Sequence, residues 1–372
     1  MRQYLGVKDA YPEAFVFFRL GDFYEMFFDD ATRGAALLGL TLTSRNKQQP
    51  DPIPMCGIPW HQRDVYVGRL LRLGHKVAIC DQLEEAGVGK GLVERGVTEV
   101  LTPGSVMGEH FLEGGANNFL AALWPTDSSL GVCFADASTA EVRVAEPVWE
   151  EAAAMLARVR VVEWLLPEVS SMTPALAQRL GRMLSGFDGT RSTAPAGADA
   201  DLSRVAARWP AAGDLLNQHP AARIACAMTL AYLDRMQGAT ALAHARIERW
   251  GVDEALRIDA ATARHLELFE PQPGGERAHT LWHHLNLAIS AAGSRRLRGW
   301  IERPLADLAR IAARQEAVAA WQGSGVARGA FRDTLRGLPD VERLAARLAC
   351  ERATPRDLGA LRDATGRLPA IA

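Results

Sequence analysis

Hydrophobic positions follow two different rhythms along the chain. Up to about residue 247, short apolar runs alternate with stretches of helical spacing; from 248 onward the spacing is almost wholly helical. In the first part, 14–20 (AFVFFRL) predicts an apolar strand, and Gly21-Asp22 a turn into a helix from 23 to about 39. A short strand at 40–44 runs into the polar loop 45–49, and Pro50, Pro52 and Pro54 impose an extended connection. An amphipathic helix is expected at 62–73, with Val65, Leu70 and Leu73 inward and Gly74 past its end. Buried-type strands follow at 76–80 and 97–101.

Beyond a linker at 105–117, the runs 118–124, 131–137 and 141–145 predict three consecutive strands in an antiparallel meander. Helices are expected at 150–157, 175–184 and 221–236, with a Gly/Ala/Thr-rich surface loop at 186–200. The helical remainder reads as 260–269, 281–301, 308–322, 341–350 and 356–364, broken at 271–275. The expected fold class is α/β followed by all-α.

One stretch resists this scheme. Five of the six residues from Phe23 to Phe28 are apolar or aromatic, and a helix turning about 100° per residue cannot face all five to one core. Part of that aromatic surface is left for a partner, a neighbouring domain or a ligand. A bland alternative stands beside this: Asp22 with Glu25 three residues on is a capping-box pattern, and Phe23 is then plain core.

Composition narrows the class. The 372 residues are 48% hydrophobic and 23% charged, enough for two or three ordinary globular domains. No apolar run is long enough for a transmembrane helix, and the N-terminus has no signal-peptide core. The five cysteines, Cys56, Cys80, Cys133, Cys226 and Cys350, are scattered and never spaced as CxxC; they read as reduced core thiols, not a zinc site. His279 and His283 are spaced i, i+4, but Thr280 stands where HExxH needs glutamate, so they read as surface or packing histidines. Charge is uneven: 12 basic and 13 acidic groups in 1–106, 11 and 16 in 107–248, and 19 and 15 in 249–372. Any nucleic-acid contact should avoid the acidic middle.

The motif FRLGDFYEMFFDDA resembles the mismatch-recognition signature of the MutS family of DNA mismatch-repair proteins. The resemblance continues, in family order, through 53–61 (IPMCGIPWH), 77–82 (VAICDQ), 90–104 (KGLVERGVTEVLTPG), 258–268 (IDAATARHLEL) and 293–305 (GSRRLRGWIERPL). It implies a mixed α/β mismatch-recognition domain (1–106), an RNase-H-like α/β connector domain (107–247) and the start of a helical core or lever domain (248–372). Phe23 and Glu25 occupy the family's wedge and base-bonding positions. A wedge of this kind unstacks a base step at a cost of a few kcal/mol, less at a mispair, which makes deformability the source of specificity. Met55, Cys56, Gly57 and Pro59 resemble the segment beside the wedge, with a structural Gly/Pro turn as the alternative. Arg45 and Lys47 are candidates for phosphate contacts, or members of a merely solvated loop. Glu99 stands where the family usually has a basic residue, Trp60 where it has tyrosine or phenylalanine, and Ser105 where it has threonine.

The resemblance also bounds the chemistry. The family's clamp and ATPase regions have no counterpart in this sequence, and Gly87-Val88-Gly89-Lys90-Gly91 lacks the spacing and hydroxyl of a P-loop. No catalytic residue, metal or cofactor is expected in this chain; ATP and Mg belong to the ATPase region. The expected partners are duplex DNA with mismatches or small loops, a second copy in the full-length protein, and a MutL-type repair protein at the connector, with no membrane. The expected place is the bacterial cytoplasm, at the nucleoid. Two other readings compete: a metal-dependent nuclease built around Asp136 in the second domain, and a fragment acting only as a protein-docking module.

Overall fold

The computed structural model describes residues 1–46, 48, 50–83, 94–199, 201–238, 240–251, 255–256 and 258–371. It contains two compact units, Met1–Phe111 with Arg235–Gln237, and Leu112–Asp234 with Gly238–Ala372.

In the first unit, helix α1 (Arg2–Ala10) precedes a hairpin of β1 (Ala14–Leu20) and β2 (Phe23–Phe27), and helix α2 (Phe28–Leu38) follows. Then come β3 (Thr43–Arg45), β4 (Ile53–Pro59), helix α3 (Arg63–Arg72), β5 (Lys76–Gln82) and β6 (Arg95–Leu101). The sheet order is β3-β4-β2-β1-β5-β6, with only β1 and β5 parallel. The helix expected from 23 is corrected: the chain stays extended to Phe27. Period-two alternation solves what helical spacing could not, because it buries Tyr24 and Met26 and turns Phe23 and Glu25 to the opposite face. The capping-box reading of Asp22 and Glu25 falls with that helix. Phe28, with φ of 53°, makes the change from strand to helix. The segment 53–59 is likewise a strand rather than a turn. In α3 the buried side is Val67, Leu70 and Leu71, whereas Val65 and Leu73 are exposed.

In the second unit, β7 (Phe119–Pro125), β8 (Leu130–Asp136) and β9 (Glu141–Ala145) form the expected antiparallel meander. After helix α4 (Trp149–Leu156), β10 (Val161–Leu166) adds parallel to β7. Helix α5 (Pro174–Leu184) then leads to β11 (Thr190–Thr193), which lies inside the expected surface loop and adds parallel to β10. Two short helices, α6 (Leu202–Arg208) and α7 (Gly213–Gln218), lead to the long α8 (Pro220–Gln237), whose last three residues are grouped with the first unit, and to β12 (Arg246–Arg249), parallel to β9. The order β11-β10-β7-β8-β9-β12 is a mixed sheet in keeping with an RNase-H-like arrangement. Gly131 lets α8 lie directly on β8: a Cβ there would come within 2.1 Å of the Ala221 carbonyl carbon.

Helices make up the rest: α9 (Ala260–His265), α10 (Leu281–Leu285), α11 (Ala291–Glu302), α12 (Leu308–Gly323), α13 (Gly325–Leu335), α14 (Val341–Ala349) and α15 (Pro355–Arg367). The single helix expected at 281–301 is two, because Ser290 caps a fresh start by accepting from the Gly293 amide at 3.2 Å. Among the described residues no helix is long and apolar enough to cross a membrane.

Candidate nucleic-acid interface

The β1–β2 hairpin closes through two residues, since Leu20 pairs with Phe23. Gly21 takes φ of +58° at the first of them, a conformation that only glycine adopts freely. The loop therefore delivers Phe23 as the first residue of β2, at the end of the sheet, where it is 47% exposed. Leaving a phenylalanine half in water forgoes much of the roughly 1.5–3 kcal/mol that burial would supply. An exposed aromatic at a rigid tip is thus informative.

Antiparallel pairing sets its neighbours. Across β2–β4, Phe23 faces Pro59, Glu25 faces Gly57 and Phe27 faces Met55. These six residues share one face of the sheet. Tyr4 of α1 covers the Phe27 end, with its ring 5.1 Å from that of Phe27 and its hydroxyl donating to the Phe27 carbonyl at 3.1 Å. The Phe23 end stays open. Gly57 is exposed, and its missing side chain leaves a slot: a Cβ there would stand 3.5 Å from Glu25 Cγ and 4.0 Å from Phe23 Cδ1.

Half-burial raises the pKa of Glu25, and the nearby Arg45 guanidinium only partly opposes this. Arg45 belongs to β3 and lies 5.8 Å from the Phe27 ring centroid. Cys56 is corrected as a surface candidate. It faces the buried side, its thiol donates to the Ala31 carbonyl at 3.4 Å, and burial pushes its pKa up to about 11. Lys47 lies outside the described residues, as does Gly87–Gly91 of the rejected P-loop.

Two residues beside Phe23 escaped selection from sequence. The Arg19 guanidinium stacks 4.9 Å from the Trp60 ring and 5.4 Å from the Tyr24 ring. Trp60 is 50% exposed, and its amide donates to the Asp22 carbonyl at 2.9 Å, tying it to the hairpin. The available signal was a tryptophan directly after a Gly-Ile-Pro run. Glu99, where a cation was expected, lies 3.9 Å from Arg63.

Asp136, the start of the nuclease reading, is fully buried and satisfied. It accepts from Asn117 Nδ2 at 3.0 Å, the Asn118 amide at 3.0 Å, and the Ser138 amide and hydroxyl at 2.9 and 2.7 Å. Its oxygens hold a strand end together, and among the described residues no group of three His, Cys, Asp or Glu is placed to hold a metal. The nuclease reading has no support.

Comparison with known proteins agrees with the motifs. The family model for MutS domain I matches residues 1–110, and that for MutS domain III matches residues 261–372. The DNA mismatch repair protein MutS of Anaeromyxobacter dehalogenans (strain 2CP-1 / ATCC BAA-258) is 41% identical over 393 aligned positions, which take in 100% of this chain and 42% of that protein. The proteins of the same name from Pelotomaculum thermopropionicum and Geobacillus thermodenitrificans are 37% and 36% identical, again over 100% of this chain and over 44% and 40% of their own lengths. The chain thus spans about two fifths of the length of these curated relatives. With matching models in its first and last thirds and full-length alignment between them, the chain belongs to the MutS family.

Proposed function

We propose that this chain recognises mispaired or unpaired bases in duplex DNA, with Phe23 as the inserting wedge and Glu25 as the group that hydrogen-bonds the displaced base. One observation carries the reading: an exposed aromatic and a half-buried carboxylate project from the same face of one strand, two residues apart, beside a glycine slot. A ring held this way resists rotation, so the DNA step must open instead. A mispair opens at lower cost. Gly57, Met55 and Pro59 floor the approach, while Arg45 and Lys47 are the candidates for phosphate contacts.

The remaining assignments belong to the same proposal. The domains divide at 1–106, 107–247 and 248–372. The ATPase that the family resemblance implies finds no phosphate-binding loop pattern in these residues, and the role proposed for the chain is binding rather than catalysis. Pairing of two copies and docking of a MutL-type partner on the middle domain are expected of the longer protein, in the bacterial cytoplasm at the nucleoid.

The test is binding of a duplex with one mispair and of its fully paired counterpart, by wild type and Phe23→Ala. Loss of preference for the mispair with unchanged paired-duplex affinity supports the proposal. Equal loss on both duplexes, with a lowered melting temperature, would make Phe23 a folding residue.

A further inference from the structure

We propose that the hairpin tip grips duplex DNA with both of its faces: Phe23 and Glu25 on one, and Arg19 and Trp60 on the other, where Arg19 binds a backbone phosphate and the Trp60 ring packs on the neighbouring deoxyribose. This second contact rests on the wedge role proposed above.

The strand ladders set the two faces. Alternation along β2 turns Tyr24 away from the side of Phe23 and Glu25, and Arg19 is the β1 partner of Tyr24. Trp60 follows Pro59, the β4 partner of Phe23, and its ring lies 4.9 Å from the Arg19 guanidinium. Arg19 and Trp60 therefore share the face turned away from Phe23, at the same end of the sheet. Two half-exposed aromatic rings thus flank one tip.

The groove dictates what such a tip meets. Wedge side chains enter base steps from the minor groove, which is about 6 Å wide. A sheet with side chains on both faces is about 10 Å through. A tip that reaches the bases must spread the groove and lie against both walls, and both walls are sugar and phosphate. Arg19 suits the phosphate. Its Nε donates to the Gly21 carbonyl, and the rings of Trp60 and Tyr24 hold the guanidinium plane, so little freedom is lost when it takes an anion. Among the described residues Arg19 forms no ion pair with a carboxylate. Asp81, on the same face behind Tyr24, is taken up by the hydroxyls of Tyr24 and Thr98 at 2.6 and 3.1 Å. The exposed part of the Trp60 ring offers the sugar a flat apolar surface.

The experiment is titration of two labelled duplexes, one with a single mispair and one fully paired, read by fluorescence anisotropy at salt concentrations from about 50 to 200 mM. Arg19→Gln is expected to weaken binding of both duplexes by the same factor, about threefold or more, and to lower the salt slope by about one, the value for one lost phosphate. Arg19→Lys retains the charge and should keep the slope. Trp60→Ala should weaken both duplexes equally with the slope kept, and Trp60→Phe should hold most of the affinity. Arg362→Gln, which removes an exposed charge of the second unit, should change nothing. An unchanged slope in Arg19→Gln overturns the proposal, and a lowered melting temperature beside it makes Arg19 a brace of the hairpin only. Loss confined to the mispaired duplex also overturns it, because that places the pair at the base rather than at the backbone. The wedge role is measured separately, by the mispair preference of wild type against Phe23→Ala. If wild type shows no preference while the Arg19 slope changes, the wedge fails and the two-faced grip falls with it, leaving a phosphate contact alone.

Discussion

Glu25 stands directly across from Gly57 in the β2–β4 ladder, and the missing side chain keeps its carboxylate and the Phe23 ring accessible from one side. Cross-strand partners normally cover each other. Here one partner is absent, and the uncovered pair is the candidate interface.

Filling that slot should separate fold from recognition. Gly57→Ala adds a Cβ at ordinary contact distance and is expected to leave the melting temperature within a few degrees. Gly57→Leu stands against Phe23 and Glu25, and its preference for mispaired DNA should fall about tenfold or more. Duplex titrations and a thermal melt of both variants check this, and an unchanged preference in the leucine variant would remove the slot from the interface.

Glu25 predicts a pH signature. Its folded pKa is raised, chiefly by burial, so its favourable contribution is present below the usual carboxylate range and is lost as pH rises through the raised value. Glu25→Gln should therefore melt higher than wild type at pH 7–8, with the gain vanishing as pH falls through the carboxylate range. On DNA the same carboxylate meets two phosphate backbones. The substitution should raise affinity for paired duplex while mismatch preference falls. Lowering pH from 8 to 6 should strengthen wild-type binding where the displaced base offers only an acceptor, and not that of the variant.

Gly131→Ala should disrupt the second unit, because its Cβ would enter the space of the Ala221 backbone. Backbone cannot step aside as a side chain can, so the cost should be about 1–3 kcal/mol or more. A lowered denaturant midpoint checks it.

Asp136→Ala is expected to cost about 1–3 kcal/mol by removing the carboxylate to which Asn117, the Asn118 amide and Ser138 donate. DNA incubated with magnesium should stay intact with wild type and variant alike. Cleavage by wild type that the substitution abolishes would restore the nuclease reading.

Much of the fold was legible because strong apolar runs such as 14–20 and 131–137 admit one reading. The decisive stretch was not, because Phe23–Phe27 is short, aromatic and followed by a true helix, and short apolar runs carry no periodicity of their own. Its strand character comes from pairing with β1 and β4, which lie on either side and up to 36 residues away. Strands β11 and β12 were missed for a related reason: TRST and RIER are polar edge strands, defined by a neighbour rather than by their own residues. Phe23, Glu25 and Gly57 were readable as motif positions, but the opposition of Glu25 to Gly57 was not. The stacking of Arg19 on Trp60 joins residues 41 positions apart that no local pattern links.

The ladder has a mechanical consequence. Strand β2 is hydrogen-bonded along both edges, to β1 and to β4, and Phe23 sits at its end like a tooth on a clamped blade. A load applied to that ring passes into a strand hydrogen-bonded along both edges, so recoil would require several hydrogen bonds to give together. Under the proposed wedge role, the compliance of the contact would lie almost wholly in the DNA, and the readiness of a base step to give way would be what the ring senses.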